Sequence, residues 1–161
     1  LLSPEKGTLC IRTVRLTGGP TGDFEQEITI PANASTKVAS IDTQALLNGA
    51  APEDVVIQVT FTAAGKTYRN NYFLVQQKMM NYPKTTLHCK IARIGTGYDV
   101  TVRSDNFARG VYLSVEGEMV HFSDNFFDLM PGETRTVRVA SKLNAKELAR
   151  RLKSMSLADT Y

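Results

Sequence analysis

The chain has 161 residues, 42% of them hydrophobic and 22% charged, which is too apolar for a disordered segment and sufficient for a packed core. Its formal net charge of +3, with Lys and Arg spread along the chain, lacks the concentrated basic footprint of a nucleic-acid binder. No apolar run reaches the roughly 20 residues that a membrane-spanning helix needs, so no membrane insertion is expected.

The chain opens with LLSPEKG, carrying neither an initiator Met nor a signal sequence, and reads as an excised piece of a longer polypeptide. Apolar residues then alternate: Leu9, Ile11 and Thr13, followed by Ile28 and Ile30 after the turn signal Gly18-Gly19-Pro20. Pro31-Ala32-Asn33 is the next turn, and Asn33-Ala34-Ser35 is a glycosylation sequon that a eukaryotic secretory pathway could use. Ile41–Leu47 breaks the alternation, since Ile41, Ala45 and Leu46 come together at helical spacing after Asp42 and predict one short helical turn. Val55, Ile57, Val59 and Phe61 resume period two and lead to the turn at Ala64-Gly65-Lys66.

MMNYPKTT at 79–86 turns polar, and Pro83 stops strand pairing there. Beyond it the alternation continues through Val100 and Val102, then Val111, Leu113 and Val115, then Val137 and Val139. Asn144 as N-cap and Glu147 three positions on predict a short amphipathic helix with Leu148 and Leu152 on one face, and Met155 and Leu157 predict a final strand. Runs of this length between Gly, Pro, Asn and Asp clusters are half-buried antiparallel strands, so the chain is all-β.

ITIPANASTKV at 28–38 and DLMPGETRTV at 128–137 echo one another: an apolar residue, Pro, small and polar residues, then Thr and Val opening an alternating run. The prolines stand 100 positions apart, about the size of one sandwich module, which favours two tandem domains, 1–82 and 83–161. Cys10 and Cys89 fall in different modules in apolar, strand-like contexts and are expected to be free, buried thiols.

HFSDNFFDLMPGETRTVRV at 121–139 admits three readings. Asp124, Asn125 and Asp128 are oxygen ligands, yet a calcium loop alternates its ligands and here two Phe fill the gap. Zinc lacks paired ligand spacing, because His88, His121, Cys10 and Cys89 stand far apart. Two carboxylates roughly 5–10 Å apart could serve glycoside hydrolysis, but nothing nearby supplies the other positioning groups. A corner suits every residue: Ser123, Asp124 and Asn125 have side chains that bond their own backbone, Phe126 and Leu129 can point into a core, and Pro131-Gly132 suits a type II turn.

FSDNFFDLMPGETRTV, preceded by YDVTVRSDNFARGVYLSVEG, closely resembles the last immunoglobulin-like domain of the β-mannosidases of glycoside hydrolase family 2. GTLCIRTVRL, ITIPANASTKVASIDTQALL and the segments DVVIQVTF and TYRNNYFLVQQKMMNYPK resemble the sandwich domain before it, so the likeness covers nearly the whole chain. The resemblance implies two immunoglobulin-like β-sandwiches, the first short of an edge because LLSPEKG resembles a turn that follows its initial strand or strands. It places both catalytic glutamates on a (β/α)8 barrel absent from these residues. No catalytic residue, cofactor or metal is therefore expected here.

The implied role is that of non-catalytic accessory domains scaffolding the barrel of a retaining enzyme that hydrolyses terminal β-D-mannosides. The partners would be the missing N-terminal and barrel domains of the same polypeptide, with glycan met only through the parent enzyme. Such an enzyme would be periplasmic or secreted in a bacterium and lysosomal in an animal. The alternative is a carbohydrate-binding or protein-interaction sandwich. Glycan platforms favour Trp, which is absent, leaving Tyr68, Tyr72, Tyr82 and Tyr98 as candidates, while Phe24, Phe61, Phe73 and Phe122 sit in strand patterns that suit a core.

Overall fold

A computed structural model describes residues 3–160. The described chain is all-β, with a short helix near the C-terminus. Two compact units divide it: one takes the residues up to Arg15 and Gly19–Asn81, the other Leu16–Gly18 and the residues from Tyr82 onward.

The first unit holds β1 (Glu5–Arg15), β2 (Pro20–Ile30), the short helix α1 (Thr43–Leu47), β3 (Val55–Ala63) and β4 (Lys66–Tyr72). Its strands form one antiparallel sheet in the order β2-β1-β3-β4. The register puts Leu9 opposite Phe61, Ile11 between Phe24 and Val59, and Thr13 opposite Ile57, so the odd positions of β1 share an apolar face with alternate residues of its neighbours. Gly7 admits the close approach of β3, since a Cβ there would stand 2.4 Å from the Thr62 carbonyl oxygen. Asp42 caps α1, its carboxylate accepting from the Gln44 amide at 3.1 Å, and Asn48 ends the helix in the left-handed region at φ 46°.

Two expectations are corrected in this unit. Glu5–Gly7 belong to a strand and not to a turn, because Glu5 and Lys6 pair with Ile30 and Thr29 and the Lys6 ammonium meets Glu27 at 2.7 Å. Of the rest of that stretch, Ser3 is a bend and Pro4 carries no regular structure, while Leu1 and Leu2 lie outside the described residues. The run after Pro31 is likewise no strand: Asn33 turns the chain at φ 49°, and residues 34–42 carry neither helix nor sheet. The echo between Pro31 and Pro131 is thus one of pattern, with a strand following only the second.

The second unit holds β5 (Leu87–Ile94), β6 (Gly97–Ser104), β7 (Ala108–Val115), β8 (His121–Phe122), β9 (Phe127–Leu129), β10 (Thr134–Ala140), the helix α2 (Ala145–Arg151) and β11 (Leu152–Met155). They form a four-stranded sheet, β5-β6-β10-β8, and a three-stranded sheet, β11-β7-β9. Tyr98, Val100 and Val102 of β6 with Val137 and Val139 of β10 pack in one core with Val111, Leu113 and Val115 of β7, Phe127, Leu129 and Leu148. Each such aliphatic side chain withdrawn from water contributes about 1.5–3 kcal/mol, which makes this core the unit's main source of stability. Asn144 caps α2, accepting from the Glu147 amide at 3.0 Å, while the return bond runs between the two side chains, Asn144 Nδ2 to Glu147 Oε2, at 2.8 Å.

The last strand ends at Met155, short of the expected Leu157, which lies in a 3-10 turn. Ser156 explains the stop, because its amide and hydroxyl both donate to the Asp159 carboxylate, at 2.7 and 3.0 Å, and draw the chain out of the sheet. Cys10 and Cys89 are free thiols but half-buried, not buried. Burial pushes the Cys89 thiol up against a smaller opposing effect of its bond to Ser154, and Cys10 is raised by burial and then by Asp23.

Candidate functional site

The stretch from β8 to β10 holds the polar side chains Ser123, Asp124, Asn125 and Asp128. Ser123 follows β8, where its hydroxyl accepts from the Arg138 amide and its own amide donates to the Arg138 carbonyl, both at 2.9 Å. The Asp124 carboxylate accepts from the Asn125 amide at 2.9 Å and pairs with Arg135 at 3.0 Å. Asn125 reaches across to β7, where its amide oxygen accepts from Leu113 N–H at 2.8 Å and its amide nitrogen donates to Leu113 C=O at 2.9 Å. A single side chain thus replaces a strand neighbour for one residue of β7.

Asp128 serves the other end of β7. One oxygen accepts from the Gly110 amide at 3.0 Å, the other pairs with Arg109, and its side chain is only 14% exposed. Gly110 adopts φ 57° where the β7–β9 register shifts between Ala108 and Val111, so Asp128 closes a bulge that only a residue tolerant of that region fits easily. Pro131 and Gly132 occupy the two central positions of the following turn, with Gly132 at φ 77° and Glu133 N–H donating to Met130 C=O at 2.9 Å. The Glu133 carboxylate returns to the Met130 amide at 2.9 Å.

The structure therefore gathers Ser123, Asp124, Asn125, Asp128, Pro131 and Gly132 around one corner, but directs the two aspartates to different arginines and different backbone amides. The second unit has one groove of about 610 Å³ lined by Ile94, Met119, Val120, Val139 and Lys142 among others, and a smaller one of about 320 Å³ beside Cys89 and Ala149. Neither aspartate lines either groove. Among the described residues no cluster of three or more His, Cys, Asp or Glu is placed to hold a metal ion.

One side chain reverses its expected place. Phe126 is 71% exposed, and the core position falls to Phe127 at 6%. The cause is the backbone: Phe126 sits at φ 59°, which offsets the strand phase so that Phe127 and Leu129 point inward and Asp128 outward. Its ring stacks on Tyr112 at 4.9 Å and 27°. The doubling of Phe was the available signal, since two adjacent strand residues cannot face the same core.

Two of the four tyrosines considered for a glycan platform are withdrawn from solvent. Tyr98 is a core residue whose hydroxyl donates to the Leu143 carbonyl at 2.7 Å, and Tyr82 is half-buried against Phe107. Tyr68 and Tyr72 are 50% and 60% exposed on β4, with Tyr68 stacked on Phe61. The expected core phenylalanines Phe24, Phe61, Phe73 and Phe122 are all only half-buried.

Two antiparallel sheets over one core, with a corner pinned from within by Asn125 and Asp128, define an immunoglobulin-like β-sandwich. Residues 82–160 match a mannosidase family described as an Ig-fold domain, and residues 1–78 match the Mannosidase Ig/CBM-like domain family. The chain thus belongs to the mannosidase immunoglobulin-like domain families, as a tandem pair.

Among solved structures it is similar to the β-D-mannosidase of Dictyoglomus thermophilum, with TM-score 0.74 and 21% identity over 97% of this chain. It is also similar to the exo-chitosanase CsxA of Amycolatopsis orientalis, with TM-score 0.58 and 14% identity over 96%. At these identities the likeness establishes a shared fold. The chain spans 19% of the first of those proteins and 24% of the second. No curated protein sequence matches it.

Proposed function

We propose that this chain is the non-catalytic C-terminal part of a β-mannosidase-like glycoside hydrolase. It scaffolds a (β/α)8 barrel carried elsewhere in the same polypeptide, and the full-length enzyme hydrolyses terminal β-D-mannosides by a retaining mechanism. The observation that carries this reading is the match of both halves to mannosidase immunoglobulin-like families, together with a likeness running through 97% of this chain but only 19% of a β-mannosidase. We place the division of the two domains at Tyr82/Pro83. Ser123, Asp124, Asn125, Asp128, Pro131 and Gly132 are assigned to the corner, where each polar oxygen of the two aspartates already has a backbone amide or a guanidinium to satisfy.

The test expresses the full-length polypeptide and the 161-residue chain separately and supplies each with an aryl β-mannoside. The full-length protein is expected to release the aryl group and the chain to match a denatured control. Turnover by the isolated chain that survives repurification would place the chemistry here and end the accessory reading. A full-length protein inert toward mannosides would end the substrate assignment.

A further inference from the structure

The edge strand β4 carries Lys66, Tyr68, Asn70 and Tyr72 at alternate positions, on the face that holds Phe61, Val59 and Ile57 of β3. Ile57 on this face is buried, whereas Tyr68 and Tyr72 are exposed by half or more. The Tyr68 ring lies on Phe61, with centroids 6.4 Å apart and planes 23° from parallel, so one side of the ring is covered and the other is presented to solvent. Tyr72 stands directly opposite Ile57 at the far end of the same row. Rings backed by a sheet in this way are preorganised plates for stacking.

The row selects its occupant. Four residues of strand at about 3.3 Å each set the two tyrosines about 13 Å apart, a distance that no single monosaccharide spans and several linked pyranose rings do. Between them Asn70 is exposed and offers both a donor and an acceptor to sugar hydroxyls. The row contains no carboxylate, no Val, Ile, Leu or Met, and a single cation, Lys66, next to the turn. A protein interface has a contiguous apolar core, whereas aromatic plates separated by an amide suit a neutral sugar chain, whose C–H faces stack and whose hydroxyls hydrogen-bond. A strand edge is itself extended, and so matches the extended ribbon of a β-1,4-linked chain better than the helical coil of an α-1,4-linked one. We propose that Tyr68, Asn70 and Tyr72 form a binding platform for an extended, neutral β-1,4-linked hexopyranose chain. This goes beyond the accessory reading and stands without it, since the binding resides in this chain.

The experiment titrates the 161-residue chain by calorimetry with mannohexaose, cellohexaose, maltohexaose and mannose, and repeats the titrations with Tyr68→Ala and Tyr72→Ala, taking the melting temperature of each. One or both of the β-1,4-linked hexaoses is expected to bind, and which of them binds identifies the source of the chain. Maltohexaose and mannose are expected to bind at least about tenfold more weakly, and each alanine variant to lose about tenfold in affinity for the hexaose. Should Tyr68→Ala lose its fold with the Phe61 contact, Tyr68→Phe keeps the ring and is expected to bind as wild type, while Tyr72→Ala carries the loss. The proposal is overturned if neither β-1,4-linked hexaose binds, if maltohexaose or mannose binds as tightly, or if a folded Tyr72→Ala variant binds as wild type. A full-length protein that hydrolyses mannosides while this chain binds no hexaose ends this inference alone; a chain that binds the hexaose while the full-length protein is inert toward mannosides ends only the substrate assignment.

Discussion

Asn125 does for Leu113 what an adjoining strand would do, and its removal leaves a backbone donor and an acceptor without their partner in a half-buried place. Each such loss costs about 1–3 kcal/mol, so Asn125→Ala should destabilise the chain by roughly 2–4 kcal/mol. Asp128→Ala strands the Gly110 amide and the Arg109 charge and should cost about 1–3 kcal/mol. Asp124→Ala, whose ion pair with Arg135 is well exposed, should cost about 1 kcal/mol or less. Urea denaturation of the three variants, with calcium and with a chelator, checks both the order and the corner assignment. A wild-type midpoint that falls on chelation would revive the metal reading of this stretch. At this scale the residue types were readable, because Ser, Asp and Asn compete for their own backbone wherever they cluster. The choice between Phe126 and Phe127 was not, since it depends on one positive φ set by a clamp to a strand twelve positions away. The burial of Tyr98 is illegible for a similar reason: its hydroxyl finds a carbonyl 45 residues distant, which lets a polar ring sit in the core.

At the scale of elements, Gly22 shows how closely helix and sheet approach in the first unit. A Cβ at this position of β2 would lie 2.5 Å from the Leu46 carbonyl oxygen, and the obstacle is backbone that cannot swing aside. The same carbonyl accepts from the Thr21 hydroxyl at 3.2 Å, and Asp42 holds the start of α1. Gly22→Ala should therefore destabilise by about 1–3 kcal/mol through overpacking, outweighing the gain of up to about 1 kcal/mol that a less flexible unfolded chain brings. Equilibrium denaturation decides it: an alanine variant as stable as wild type would mean α1 can yield. Strands with regular alternation, such as β6 and β7, and the two capped helices are legible because period and cap are local properties. The irregular path after Pro31 and the early end of β11 are not, because a strand needs a partner to bond and the local pattern does not reveal whether one exists.

For the whole molecule, the division into two units makes a claim about cooperativity. The cluster from Tyr98 to Leu148 lies wholly within the second unit, while Leu47, Ala50, Val55 and Leu74 pack together within the first. A domain with its own core loses protection as its own unit when that core is damaged. Phe127→Ala, which empties a buried aromatic site, should cost about 3–5 kcal/mol. Its effect on amide exchange is expected in β6, β7 and β10, with the β1–β3 ladder unchanged. Gly22→Ala should do the converse, loosening β1, β2 and α1 while leaving β6 and β10 at wild-type rates. Exchange followed by mass spectrometry in native buffer resolves the two regions. If either variant accelerates exchange throughout both units by the same factor, the chain unfolds as one cooperative body and the division at Tyr82/Pro83 is wrong.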